Sequence, residues 1–102
     1  MIIARWQIDA KFGHKEQVID SLKYWNREIG SQLGWEDVRM STGSVGAREC
    51  TCVVETELKD LAELNRAWEK LGKIEAHKQW SKELEPYVVN GSHKWEIFRV
   101  IE

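Results

Sequence analysis

Residues 35–57 read WEDVRMSTGSVGARECTCVVETE, and the reading of this stretch decides the fold. Over residues 35–42, Val38 and Met40 fall on one side and Arg39 on the other, the period-two pattern of a strand. Residues 48–57 repeat that pattern, setting Cys50, Cys52 and Val54 against Thr51, Val53 and Glu55. Such small and β-branched residues suit a central strand. Between the two, Ser41-Thr42-Gly43-Ser44-Val45-Gly46 is turn chemistry, so the strands are expected to join as a hairpin. Gly43-Ser44-Val45-Gly46 is too short for a phosphate loop and lacks its strand-to-helix setting.

Working outward toward the N-terminus, Val18, Leu22, Trp25, Ile29 and Leu33 recur at steps of three and four, which is one face of a helix. Gly30 lies late in it and Gly34 stands where its stop belongs. Before it, residues 2–9 alternate Ile2, Ala4, Trp6 and Ile8 with Ile3, Arg5, Gln7 and Asp9, a half-buried strand. Toward the C-terminus a helical stretch begins near Leu58 with Leu61, Leu64, Trp68 and Leu71 in step. Gly72 interrupts it, and Ile74, His77, Ser81 and Leu84 resume in another phase, so two consecutive helices are expected. Pro86 ends them, Tyr87-Val88-Val89 reads as extended, and Asn90-Gly91 signals a tight turn. Residues 93–101 form the last strand, Trp95, Ile97, Arg99 and Ile101 opposing Glu96, Phe98 and Val100. The order is β-α-β-β-α-β, an α+β ferredoxin-like arrangement: one antiparallel sheet with the helices on one face. The 102 residues fit a single domain, 1–102.

Composition narrows the function classes. A hydrophobic share of 42% with 31% charged residues is that of an ordinary globular chain. A net charge of −2 offers no electrostatic footprint for nucleic acid. No apolar run approaches the roughly 20 residues of a membrane helix. Met1-Ile2-Ile3-Ala4-Arg5 meets charge too soon for a signal peptide, so a cytoplasmic location is expected. Cys50 and Cys52, two apart in one strand, point the same way with their Cβ atoms far beyond the ~3.8 Å of a disulfide. His14, His77 and His93 lie too far off in sequence to complete a metal set with them, so no metal is expected. The two cysteines read as small buried hydrophobes.

A sheet with helices on one face leaves the other bare. That face would hold Ile3, Arg5, Gln7, Arg39, Thr51, Val53, Glu55 and one register of the last strand, with Trp95 or Phe98. It is too apolar for water and too charged for a dry contact. A homodimer closing two such faces over a partly polar cavity satisfies both demands. The six tryptophans, at positions 6, 25, 35, 68, 80 and 95, read as core packing, with one or two lining a pocket for a flat apolar or aromatic ligand.

The order of elements, the interruption at Gly72, Ala76-His77-Lys78 beyond it and the closing stretch from Ser92 to Val100 together resemble the dimeric α/β-barrel superfamily. More narrowly, the chain resembles its NIPSNAP-like and antibiotic-biosynthesis-monooxygenase-like groups. The resemblance implies a homodimer whose sheets form a β-barrel, with a small-molecule pocket between sheet and helices. Cofactor-independent oxygenases, haem-degrading enzymes, isomerases, lyases and stress-responsive proteins share this fold, so fold alone does not choose among them. The haem-degrading branch implies an iron-ligating histidine, to which His77 corresponds, a preceding tryptophan, to which Trp68 corresponds, and a first-strand asparagine. This first strand has Arg5 and Gln7 and no asparagine.

Among single residues, His77 on the resumed stripe is either a satisfied core histidine or a catalytic or ligand-contacting group. His14 and His93 read as surface residues. Arg5, Arg39 and Arg99 stand on strands, where Glu55 and Glu96 are available mates. Unpaired, one of these arginines could hold a ligand's carboxylate or enolate oxygen. Glu36-Asp37 and Lys82-Glu83-Leu84-Glu85 read as solvated charges. The expectation is a dimeric small-molecule-binding protein with no cofactor. Its enzymatic form would be a cofactor-independent oxygenase or isomerase on a carbonyl or aromatic compound, in which an arginine of the bare face steadies oxyanion charge and His77 moves a proton. Its ligand residues would be drawn from Arg5, Arg39, Trp68, Trp95 and Arg99. The alternative is a non-enzymatic homodimer with structural or stress-related duty, and a haem-binding monooxygenase is the third reading.

Overall fold

Alternating residues hold as a strand where one side is buried, and the first strand meets that condition over its whole length. The computed structural model describes residues 1–35 and 37–102. Strand β1 spans Ile2–Asp9, with Ile2, Ala4 and Ile8 buried. Helix α1, Lys15–Glu28, buries Val18, Leu22 and Trp25, as its stripe dictates. It tightens into a 3-10 turn over Gly30–Leu33 and stops at Gly34, whose φ of 78° is a left-handed conformation that glycine enters without strain. Strands β2, Arg39–Thr42, and β3, Thr51–Leu58, form the hairpin. Helix α2, Leu61–Leu71, starts at Asp60, whose carboxylate accepts the Glu63 N–H at 2.9 Å. Glu63 in turn accepts the Lys59 N–H at 2.7 Å, a reciprocal cap on the first turn. After the break at Gly72, helix α3 runs Glu75–Leu84, and strand β4, Lys94–Arg99, closes the sheet.

Several boundaries differ from the sequence reading. Strand β2 starts at Arg39, not 35, and β4 covers 94–99 of the expected 93–101. Strand β3 starts at Thr51, not 48, because the ladder closes where Thr42 pairs with Cys52 and the Gly43 N–H donates to the Thr51 carbonyl. Cys50 therefore lies in the turn before the strand, while Cys52 is buried within it, and both are free thiols. Leu58 ends β3 rather than opening a helix, and Tyr87 belongs to a 3-10 turn, Glu85–Tyr87, that Pro86 favours at its start. His14 is half-buried against Tyr87 rather than on the surface. Asp37 is exposed as expected, and Glu36 lies outside the described residues.

The strand order is β2-β3-β1-β4 with every neighbouring pair antiparallel, the ferredoxin-like arrangement expected. Directly paired residues share a face. Trp6 lies between Val54 and Trp95, Ala4 between Thr56 and Ile97, and Ile2 between Leu58 and Arg99. This is the helix side, where Ile8, Cys52, Val18, Leu22, Leu71 and Leu84 form the main core. Trp95, Ile97 and Arg99 thus belong to the helix side, and Glu96 and Phe98 to the open face. Across that open face one row reads Arg39, Glu55, Arg5, Glu96, with alternating charge. Among the described residues no helix is long and apolar enough to cross a membrane.

Candidate functional site

Between the helix side of the sheet and the break separating α2 from α3 lies a cavity of about 550 Å³. All six tryptophans line it: Trp6 from β1, Trp25 from α1, Trp35 after the 3-10 turn, Trp68 from α2, Trp80 from α3 and Trp95 from β4. Four of them form the inner wall. Trp25 stands 6.0 Å from Trp35 and 6.1 Å from Trp80, and Trp80 stands 6.5 Å from Trp6, all with tilted rings. Tilted pairs avoid opposing like quadrupole faces. Trp68 and Trp95 meet edge to face at 5.4 Å and are 38% and 37% exposed, so they form the rim. The two most buried indoles have partners: Trp80 donates to the Ser21 carbonyl at 2.9 Å, and Trp25 donates to His77 Nδ1 at 3.0 Å.

His77 is a half-buried titratable group of this wall. Its ring stacks on Trp80 at 5.7 Å and 20°, and the edge of Trp25 approaches at 6.3 Å. Burial disfavours the imidazolium and lowers the pKa from its ordinary 6.5, so the ring is neutral at pH 7. The buried Thr56 hydroxyl and that of Ser81 add polarity, with Asn90 and an exposed His93 nearby.

The candidate residues divide between two faces. His77, Trp68 and Trp95 come together at the cavity. Arg5 and Arg39 lie on the opposite side of the sheet, so the pairing of an arginine with His77 at one ligand is not what the fold brings together. Arg99 shares the helix side but sits in the row of Ile2, beyond the last cavity row at Ala4. Arg5 instead borders a polar hollow of about 430 Å³ on the open face, with Gln7, Asp9, Thr42, Arg48 and Thr51. There Asp9 accepts the Thr51 hydroxyl at 2.6 Å and faces Arg48 at 3.3 Å. A Cβ at Gly43 would fall on the Arg48 carbonyl, so this turn folds as tightly as it does because residue 43 is glycine. Arg5 Nε lies 3.9 Å from Glu55, an ion-pair distance but too long for a hydrogen bond, and it is buried without an acceptor among the described residues.

The sequence reading assigned Trp6, Trp25, Trp35 and Trp80 to core packing and expected one or two tryptophans at a pocket, whereas all six line it. Trp25 is on the α1 stripe, and Trp80 lies three residues after His77 and four before Leu84, one helical face. Periodicity marks a residue as inward without separating a packed core from a cavity wall.

No family model matches the sequence, and no curated protein matches it. Solved structures do match in shape. A NIPSNAP family protein from Agrobacterium tumefaciens superposes with a TM-score of 0.83 at 10% identity, covering 99% of this chain and 93% of that one. An antibiotic biosynthesis monooxygenase gives 0.72 at 11% identity, with 100% of both chains covered. A variant of SnoaB, a cofactor-independent oxygenase from Streptomyces nogalater, gives 0.70 at 9% identity, covering 99% and 93%. The fold is therefore the one shared by NIPSNAP domain proteins and antibiotic-biosynthesis-monooxygenase-like proteins.

Proposed function

We propose that this protein is a homodimer that binds a small flat aromatic or carbonyl compound in the tryptophan-lined cavity. The observation that carries the reading is the convergence of six tryptophans and one neutral histidine from six separate segments on a single hollow. A core needs no hollow, and a wall of fixed aromatic rings with few polar groups is the usual build of a small-molecule site. The reaction class that fits is a cofactor-independent oxygenase or isomerase, which the likeness to SnoaB supports. In that role His77 touches the ligand, with Trp68 and Trp95 at the entrance.

Haem does not fit these residues. A metal-bound imidazole ordinarily donates its other N–H outward, whereas His77 Nδ1 accepts from Trp25. The neutral ring then carries its proton on the nitrogen that iron would need. Gln7, the nearest counterpart of the implied asparagine, borders the opposite face.

The open face supports the dimer, each copy contributing residues 1–102 as one domain. A two-fold axis reverses the row Arg39, Glu55, Arg5, Glu96, and the reversed row is its own complement. Arg39 meets the partner's Glu96 and Glu55 meets the partner's Arg5, whose side chain is partly exposed on that face. Arg39 and Arg5 serve this contact and not the cavity. Two free thiols fit a reducing, cytoplasmic setting.

Titration with 9-fluorenone, followed by tryptophan emission, is expected to give saturable quenching at micromolar concentration. Emission that changes only in proportion to added ketone would end the binding reading. Light scattering is expected to give twice the 12.0 kDa chain mass, and a 12 kDa species would end the dimer.

A further inference from the structure

The polar side of the cavity has a direction, and the argument for it rests on the binding role proposed for that cavity. An indole N–H is a donor only. With Trp25 Nε1 at 3.0 Å, His77 Nδ1 must present its lone pair. A neutral imidazole has one N–H and one lone pair, so the proton sits on Nε2. Exchanging the two nitrogens would require the ring to turn over, and the stack on Trp80 with the edge contact from Trp25 opposes that. Nε2 has no partner among the described residues. The Thr56 and Ser81 hydroxyls can donate or accept, so they impose no preference on a ligand. His77 does impose one.

We infer that Trp25 is a positioning residue that fixes His77 as the Nε2–H tautomer, so that the cavity selects flat ligands bearing an oxygen acceptor, such as a ketone, quinone or phenolate, with His77 as hydrogen-bond donor. Proton abstraction by His77 would require the lone pair on Nε2 and the loss of the Trp25 hydrogen bond. A ligand N–H set against Nε2 would leave two donors facing each other, which a partly buried site penalises.

The test uses protein with ¹⁵N-labelled histidine and three tricyclic probes of similar shape: 9-fluorenone, which only accepts, fluorene, which does neither, and carbazole, which donates. Wild-type protein is expected to show a pyridine-type nitrogen at Nδ1 and a pyrrole-type nitrogen at Nε2. The ketone is expected to bind about three- to tenfold more tightly than fluorene, the value of one hydrogen bond, and carbazole no more tightly than fluorene. In Trp25→Phe the Nδ1 signal is expected to move toward the pyrrole type as the second tautomer becomes populated, and in His77→Leu the ketone's advantage is expected to vanish. Should Trp25→Phe fail to fold, the wild-type spectrum and the His77→Leu titrations still decide. A proton on Nδ1 in the wild type, an unaltered spectrum in folded Trp25→Phe, or equal affinity for all three probes overturns the tautomer inference and leaves the cavity reading standing. Absence of binding by all three overturns both.

Discussion

The two faces of the sheet handle polarity in opposite ways. On the helix side the two most buried indole N–H groups are satisfied within the chain, Trp80 donating to Ser21 and Trp25 to His77, and burial lowers the pKa of His77. On the open face the charges alternate along a row, yet among the described residues Arg5 Nε has no acceptor, with the Glu55 carboxylate 3.9 Å away. A buried N–H left without a partner costs about 1–3 kcal/mol. The first face is complete as a wall and open as a container. The second carries the alternating charge that the proposed dimer would pair. Function on the helix side is therefore expected to depend on ring positions, and on the open face on the sign of charge.

The largest effect that can break this contrast is loss of an inner-wall ring. Trp25 is only 8% exposed, touches Trp35, Trp80 and His77, and is the sole partner of His77 Nδ1 among the described residues. Trp25→Ala is expected to cost about 3–5 kcal/mol of stability in urea unfolding, the range for deleting a large buried aromatic. Phe98→Ala on the open face, by comparison, is expected to change monomer stability by less than about 1 kcal/mol because that ring is already half in water. Equal costs at the two positions would erase the distinction between the faces.

Next in size is the charge row. Glu55→Arg places a cation opposite the partner's Arg5, and like charges so placed cost several kcal/mol, about a hundredfold or more in dimer dissociation. Light scattering is expected to show the 12.0 kDa chain alone at micromolar concentration. Adding Arg5→Glu restores opposite signs across the contact and is expected to restore the dimer. If the single variant stays dimeric, the row is not the contact.

The same contrast explains which features the sequence discloses. Period-two and helical spacing identified β1 to the residue, the break at Gly72 and the β-α-β-β-α-β order, because backbone hydrogen bonding and one-sided burial act on neighbours along the chain. Strand ends were legible only within a few residues: whether Cys50 joins β3 depends on where the Thr42–Cys52 pair closes the ladder, a contact between distant residues. The face of Trp95 was undetermined for the same reason, since a strand with apolar residues on both sides takes its orientation from its partners. Trp68, Trp95 and His77, each singled out separately in the sequence, line one cavity, while Arg5 and Arg39 lie on the other side of the sheet. A lone arginine on a strand carries no sign of which side it will occupy until pairing sets it.

A smaller effect sharpens the helix-side claim. The unfolded chain holds a histidine of ordinary pKa near 6.5, and the folded chain holds His77 below it. The unfolded state then binds more protons in that window, so this contribution to stability is complete above about pH 6.5 and is lost as pH falls toward and through the folded pKa. Urea midpoints measured from about pH 7.5 to about pH 5 are expected to fall more steeply for wild type than for His77→Gln, which has no such proton to take up. Parallel slopes would mean that His77 is solvated and that the wall does not enforce its neutrality.

A smaller change in stability than at Trp25 is expected at the rim. Trp68 and Trp95 already have more than a third of their surface in water, so Trp68→Ala deletes an edge-to-face pair and less buried area than Trp25→Ala. Its cost in unfolding free energy is expected to be about 0.5–1.5 kcal/mol, the value of such a pair. Binding is a separate matter: a flat ligand entering the hollow would stack on that ring, and its loss is expected to weaken 9-fluorenone by about two- to tenfold. The two measurements together separate a rim that serves the ligand from one that serves only the fold. Weakened folding with unchanged affinity would assign Trp68 to packing and move the entrance elsewhere, toward the Asn90 and His93 side of the cavity.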